Sequence, residues 1–287
     1  MQVKLPATAC RERVTRVAHR VTCGRLARSF PRPRNLVKFE TESCLVIPDV
    51  HQDIAWVDRV LARESNFDRV VFLGDYFDTR SPLTFGPNVK ATCAYLEKLR
   101  AELGDRATFL LGNHDIQYLE AKPWCDQRRT PRHLFYKCGP SYSQSTAKRV
   151  ASDLPAEFWR STRLFVVVNG WLLSHAGLAP SFWPESPSLD ASLAKLDAEC
   201  ATALTTMKAG PHPLLEAGEV RGGDAPVGGI TWQDWNDEFV DELPLPQLVG
   251  HTSSSSGARQ RGRSWCLDGR QTSYGVLTGS GLKVRAA

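Results

Sequence analysis

Asp49-Val50-His51, Gly74-Asp75-Tyr76-Phe77-Asp78, Gly112-Asn113-His114-Asp115, Ser174-His175-Ala176-Gly177 and Gly250-His251-Thr252 follow one another along the chain. Each comes after a short apolar run, and each carries side chains that bind metal. Together they offer two aspartates, one asparagine and three histidines as ligands, with a fourth histidine to spare. Carboxylate, amide and imidazole donors without a thiolate suit Mn, Fe or Zn. Two such cations polarise a phosphoryl group and lower the pKa of a water. The set is therefore the inventory of a two-metal site that splits phosphate esters. Such a site needs one carboxylate shared between the cations, and Asp75 takes that part. A lone Asp-x-His or Gly-His arises by chance, whereas five motifs in order, each ending a strand-like run, carry weight.

The elements that position these residues can be read around them. Ser43–Pro48, Val70–Leu73 and Thr108–Leu111 are short apolar strands that deliver the first three motifs. Between them lie two helices. Asp53 caps the first, with Ile54, Val57, Val60 and Leu61 on one face. Asn88 caps the second, which carries Val89, Cys93, Leu96, Leu99 and Leu103 and closes at Gly104. Strand–helix alternation implies parallel pairing in an α/β layer. The later half changes to a hairpin, Leu164–Val168 and Trp171–Ser174, around an Asn169-Gly170 turn. Short strands at Gln247–Val249, Trp265–Leu267 and Tyr274–Val284 follow. In open α/β sheets, sites form where loops leave the carboxyl ends of strands, and every motif lies at such an end.

The five motifs resemble the signature of the calcineurin-like metallophosphoesterase superfamily, D-x-H, G-D-x-x-D, G-N-H-[DE], H-[AG]-G and G-H. The match runs from about Leu45 to the C-terminus. The resemblance implies a four-layer α-β-β-α sandwich with two mixed β-sheets. It implies two divalent metal ions, Mn2+ first and Fe or Zn as alternatives. Asp49, His51 and Asp75 would hold one ion, and Asp75, Asn113, His175 and His251 the other. His114 would act as general acid with Asp78 as its orienting partner. The implied reaction is hydrolysis of phosphomonoesters by a hydroxide activated by the two metals, as in Ser/Thr phosphatases. The substrate would be a phosphoprotein, a small phosphoester or a nucleotide. A nucleotide or dinucleoside polyphosphate hydrolase is the alternative activity, and an inactive interaction scaffold is the alternative class.

The chain departs from the pattern in ways that bear on substrate. Ser253 stands where many diesterases of the superfamily carry a second histidine, which is closer to the phosphoprotein phosphatase and symmetrical dinucleoside tetraphosphatase branch. The arginines that clamp phosphate in protein phosphatases are missing, since Thr79 and Leu111 occupy those positions. Arg80, Arg259, Arg261 and Arg263 are the candidates to replace them, against the plainer reading of 259–263 as a solvated basic loop.

Composition bounds the rest. The 287 residues, 42% hydrophobic and 23% charged, suit one large domain or one domain with an insertion. The net charge of +5 is unevenly spread: residues 1–40 hold ten Lys/Arg against two Glu, and the remainder has 26 basic against 29 acidic residues. Residues 1–40 read as a basic disordered extension, with nucleic-acid or anionic-lipid contact and organellar targeting as competing readings. Residues 41–287 form the metallophosphoesterase domain, with Lys122–Ser145 as a loop over the site and 180–229 as a candidate cap. No apolar run approaches the length of a membrane span. Eight scattered cysteines without a C-x-x-C pair do not look like a zinc cluster or a disulfide framework; Cys44 and Cys93 fall inside apolar patterns as buried thiols, and a cytoplasmic setting is the simplest.

Overall fold

Cys44 and Val46 face one side of their strand and Leu45 and Ile47 the other, and this two-residue period organises the interior. The computed structural model describes residues 38–79, 88–119, 132–139, 141–207 and 210–287. Most of the basic N-terminal segment, Arg80 and much of the expected loop over the site lie outside these residues.

In chain order the first half comprises β1 (Lys38–Phe39), β2 (Ser43–Ile47), α1 (Ile54–Arg63), β3 (Arg69–Phe72), α2 (Val89–Leu103) and β4 (Ala107–Phe109). Four helices follow: α3 (Asn113–Ile116), α4 (Phe135–Cys138), α5 (Gln144–Asp153) and α6 (Ala156–Ser161). The hairpin β5 (Phe165–Val168) and β6 (Trp171–Ser174) precedes α7 (Leu189–Thr206). The chain ends with β7 (Gln247–Val249), β8 (Arg259–Arg261), β9 (Ser264–Cys266), β10 (Ser273–Thr278) and β11 (Gly281–Ala286).

The strands form two mixed sheets, ordered β1-β5-β6-β7-β9-β8 and β11-β10-β2-β3-β4. Strands β2, β3 and β4 pair in parallel, as do β6 with β7 and β7 with β9. Between the sheets lies an apolar layer of Val46, Val71, Leu73, Val166, Leu173 and Leu248. The alternate residues Leu45, Ile47, Val70 and Phe72 join the helical side with Trp56, Val57, Cys93 and Leu96. Phe165, Val167 and Leu172 of the other sheet share that larger cluster with Leu193 and Leu196 of α7. The order is helices, sheet, sheet, helix, which is the expected sandwich.

Local signals were followed closely. Asp53 accepts the Trp56 N–H at the start of α1, and Asn88 accepts those of Lys90 and Ala91 at the start of α2. Asn169 and Gly170 both take positive φ, the pair of left-handed residues that a tight hairpin turn requires. Residues 259–261 are an edge strand, β8, rather than the loop that their charge suggested. Cys44 and Cys93 are buried free thiols as expected, as are Cys200 and Cys266, whereas Cys138 is disulfide-bonded. Among the described residues, no helix is long and apolar enough to cross a membrane.

Phe158 of α6 ties the helical layer to the sheet. Its buried ring lies 5.2 Å from that of Phe109 in β4 and 6.1 Å from that of Tyr76, just beyond β3. Phe158→Ala empties the contact between two site-bearing strands and should cost ~3–5 kcal/mol in denaturant unfolding. A loss below ~1 kcal/mol would show that this layer is not what braces β3 and β4.

Candidate metal centre

Five strand ends converge. Asp49 follows β2, Asp75 follows β3, Asn113 follows β4, His175 follows β6 and His251 follows β7. Hydrogen bonds knit the two sheets at this edge. The His175 ring bonds the Leu73 carbonyl at 3.0 Å, and the His251 N–H donates to Asp49 Oδ1 at 2.9 Å. Tight turns aim the side chains: His51, Asp75, Asp78 and His251 all take left-handed backbone conformations, with φ between 43° and 66°. Such conformations cost non-glycine residues roughly 1–2 kcal/mol each and concentrate at functional sites.

The sequence-derived ligands lie side by side and buried. His51 Nε2 is 3.6 Å from Asp49 Oδ2 and 3.5 Å from Asp75 Oδ2. His175 Nε2 is 3.4 Å from Asp75 Oδ1, 3.1 Å from Asn113 Oδ1 and 3.2 Å from His251 Nδ1. Two trios, Asp49-His51-Asp75 and Asp75-His175-His251, each bring their ligand atoms within 4.8 Å of one another, with Asp75 in both.

This set fits a pair of divalent cations on its own chemistry. His51 and His175 spend Nδ1 on the carbonyls of Asp78 and Leu73, at 2.7 and 3.0 Å, which leaves each Nε2 as a lone pair facing inward. His251 meets the cluster through Nδ1, 3.2 Å from His175 Nε2, and the Nε2 atom of His51 is buried without a hydrogen-bond partner. An unpartnered buried nitrogen is costly, and a cation would satisfy it. Burial, reinforced by the charge of Arg221, holds the His251 pKa well below its ordinary value, so the ring stays neutral as a ligand must.

His114 differs from these rings. Its Nδ1 lies 2.9 Å from Asp78 Oδ2 and 2.9 Å from the Ser141 hydroxyl, and its Nε2 points into the cavity 4.0 Å from Asp75 Oδ2. Burial lowers its pKa, but the negative charge of Asp75, the hydrogen bond its ring donates to Asp78 and the charges of Asp78 and Asp115 outweigh it, pushing the group up to about 9. Cations at Asp75 would cancel part of that rise. The expected acid and its expected partner are thus brought together.

The arginine candidates are not. Arg259 bonds Asn236 Oδ1 and the Thr252 carbonyl, and Arg261 bonds the Phe239 and Asn236 carbonyls. Arg263 bonds the Leu243 and Pro244 carbonyls. These guanidiniums fasten β8 to residues 236–244, which is a physical reason for three arginines in one short stretch.

Arg221, absent from any motif, lines the cavity instead. It reaches in from a turn after α7, and its Nη2 is fixed by Asp234 Oδ2 at 2.7 Å and Thr252 Oγ1 at 2.6 Å. Its Nε is buried with no acceptor. Trp232 and Ser253 line the same space, about 360 Å³. A larger cavity, about 630 Å³, opens at the amino ends of β3 and β4, away from the ligands. Two of its arginines, Arg100 and Arg160, are already paired with Glu97 and Glu157.

Comparison with known proteins agrees with this geometry. Residues 43–274 match the family model described as calcineurin-like phosphoesterase. No curated protein sequence gives a significant match. Among solved structures, the cold-active protein-tyrosine phosphatase of a psychrophilic Shewanella species has a similar fold. Its TM-score is 0.57 at 16% identity, over 90% of this chain and 81% of that one. A protein serine/threonine phosphatase from Saccharomyces cerevisiae aligns at 16% identity over 91% of this chain and 85% of its own, with a TM-score of 0.48. The likeness to the Shewanella phosphatase speaks to fold alone.

Asp75 belongs to both trios, so its charge matters twice. Asp75→Asn, which keeps the shape, should lower the metal content of purified protein to one ion per chain or none. Two tightly bound ions in that variant, counted by elemental analysis, would remove Asp75 from its shared position.

Proposed function

Because the chain belongs to the calcineurin-like phosphoesterase family, we propose that it hydrolyses phosphomonoesters at a two-cation site. The cations would be held by Asp49, His51 and Asp75 on one side and by Asp75, Asn113, His175 and His251 on the other. The observation that carries the reading is the placement of His114. It is a ring held by Asp78 through one nitrogen, with the other free in the cavity beside both ligand trios. Bound divalent cations, Mn2+ first among them, supply Lewis-acid polarisation of the phosphoryl group and a water of lowered pKa.

The protein's own groups do the rest. His114 Nε2 gives its proton to the departing oxygen, while Nδ1 keeps its bond to Asp78, which fixes the ring. Arg221 offers the positive charge that the missing motif arginines do not. Its anchoring by Asp234 and Thr252 presets its position against the phosphoryl oxygens. A cavity of about 360 Å³ is at the small end for ligand pockets, which favours a monoester over a dinucleoside polyphosphate. Ser253 in place of a histidine leaves that wall open and points the same way.

A substrate panel tests this after metal stripping and Mn2+ return. It includes a phosphopeptide, p-nitrophenyl phosphate, bis(p-nitrophenyl) phosphate and diadenosine tetraphosphate. Monoesters should turn over fastest, and a bis-ester hydrolysed faster than the monoester would overturn the reading. His114→Asn should retain both ions and lose ~10²–10⁴-fold in kcat for an alkyl leaving group. The loss should be smaller for p-nitrophenolate, which departs without a proton, and equal losses for both would deny His114 the role of acid. Arg221→Ala should raise KM roughly tenfold or more, as for a lost hydrogen bond to a charged group, without changing metal content. An unaltered KM would leave the phosphate without this clamp.

A further inference from the structure

The Asp78 carboxylate is gripped from three directions. Its Oδ2 faces His114 Nδ1 at 2.9 Å and accepts from Gln117 Nε2 at 2.8 Å, and its Oδ1 accepts from the Tyr118 hydroxyl at 2.6 Å. A carboxylate can turn about its Cβ–Cγ bond. A donor on each oxygen stops that turn, and only then is Oδ2 kept on the imidazole. The three donors come from one short stretch: His114 lies in α3, and Gln117 and Tyr118 follow directly after its last residue, Ile116.

Both holding groups are themselves fixed. The Tyr118 ring is buried, stacked 5.5 Å from Tyr142 and edge-on to Phe77 at 5.8 Å. Its hydroxyl oxygen accepts the Ser143 N–H at 3.2 Å, so its own hydrogen is left for Asp78. Burial and the charge of Asp78 hold the phenol far above its ordinary pKa, so it remains a donor. The Gln117 amide has one orientation: its oxygen accepts the Gly139 N–H at 3.2 Å, which puts the NH₂ on Asp78 and on Ser141 Oγ at 3.1 Å.

We propose that Tyr118, assisted by Gln117, is a positioning residue for the reaction: it locks Asp78 in the rotation that holds His114 with Nε2 aimed at the leaving-group oxygen. This rests on the phosphomonoesterase reading. Neither residue touches the substrate, and both act through Asp78. Tyr118 thus supplies the hydroxyl that a histidine–carboxylate pair needs when the carboxylate sits on a turn, here at φ 63°, rather than inside a rigid strand.

Tyr118→Phe removes the hydroxyl and keeps the ring packing. Its kcat on an alkyl phosphomonoester should fall about tenfold, the scale on which a buried supporting partner acts. On p-nitrophenyl phosphate it should fall less than about twofold, with KM and metal content unchanged. In an Asp78→Asn background the same change should add almost nothing, because the shared partner is gone. Equal losses on both esters, or fully additive losses with Asp78→Asn, would overturn the proposal. A spectroscopic arm needs no turnover. In metal-free protein labelled with ¹⁵N-histidine, the His114 Nδ1–H resonance, assigned against His114→Asn, should be downfield in the wild type. It should move upfield or broaden in Tyr118→Phe. An unmoved resonance would overturn the positioning role even in an active enzyme. A shifted one in a protein that hydrolyses no monoester would uphold the role and refute the phosphomonoesterase reading instead. Where Tyr118→Phe weakens the fold, Gln117→Leu asks the same question from the other oxygen, with the same direction expected.

Discussion

Asp115 is the pin on which the centre turns. Fully buried, its carboxylate accepts the backbone N–H groups of Asp75 at 2.7 Å, Tyr76 at 2.8 Å and Gly112 at 2.8 Å. One side chain from α3, the short helix after β4, therefore fixes the turn after β3 and the entry to its own helix. Burial and the neighbouring charge of Asp75 push its pKa well above the usual carboxylate range, while the three N–H groups pull the other way. The backbones come so close that a Cβ on Gly74 would sit 2.4 Å from the Gly112 nitrogen. Asp75 then accepts the His114 N–H at 3.0 Å. Its left-handed backbone is thus set by hydrogen bonds within the protein, and the shared ligand is preorganised before any ion arrives.

That preorganisation concentrates negative charge. Asp49 and Asp75 are buried on either side of the His51 ring, with Asp78 close behind. Buried like charges are unfavourable unless a counter-charge is near. Bound cations would supply most of it and stabilise the fold by the same linkage through which any ligand of the native state does. Arg221 supplies a fixed share at the rim, where it also disfavours protonation of His251. The same charges serve chemistry, because they raise the proton affinity of His114 beside the cavity.

How legible this was depends on whether a residue works through its side chain at a strand end. The proposed metal ligands and His114 do, and a short motif behind an apolar run points to each one. The capped helices and the Asn169-Gly170 hairpin were legible because their signals are local. Residues that act from elsewhere left no such trace. Arg221 sits among short turns in a Pro/Gly-rich stretch with no periodicity, and only the tertiary fold brings it to Thr252. Gln117 and Tyr118 follow a motif, yet nothing in one sequence says that they reach back some forty residues to Asp78. The cluster at 259–263 misled for a physical reason: arginines that cross-link an edge strand look the same in sequence as arginines that await an anion.

The charge proposed to bind phosphate comes from outside the motifs. The carboxyl ends of β2, β3, β4, β6 and β7 are filled by ligands or by residues that shape their turns. The guanidinium proposed to meet phosphate approaches instead from across the cavity, on a segment outside the strands. Arg221 does so, and its anchor is telling, since Thr252 directly follows the ligand His251 and its hydroxyl also accepts the Trp235 N–H at 2.9 Å. The turn that carries a ligand therefore also carries the stop that sets the arginine. A shift of that turn would move both together, so the spacing between the proposed ligand His251 and the proposed phosphate clamp is set by one short stretch of chain rather than by the packing of two distant ones.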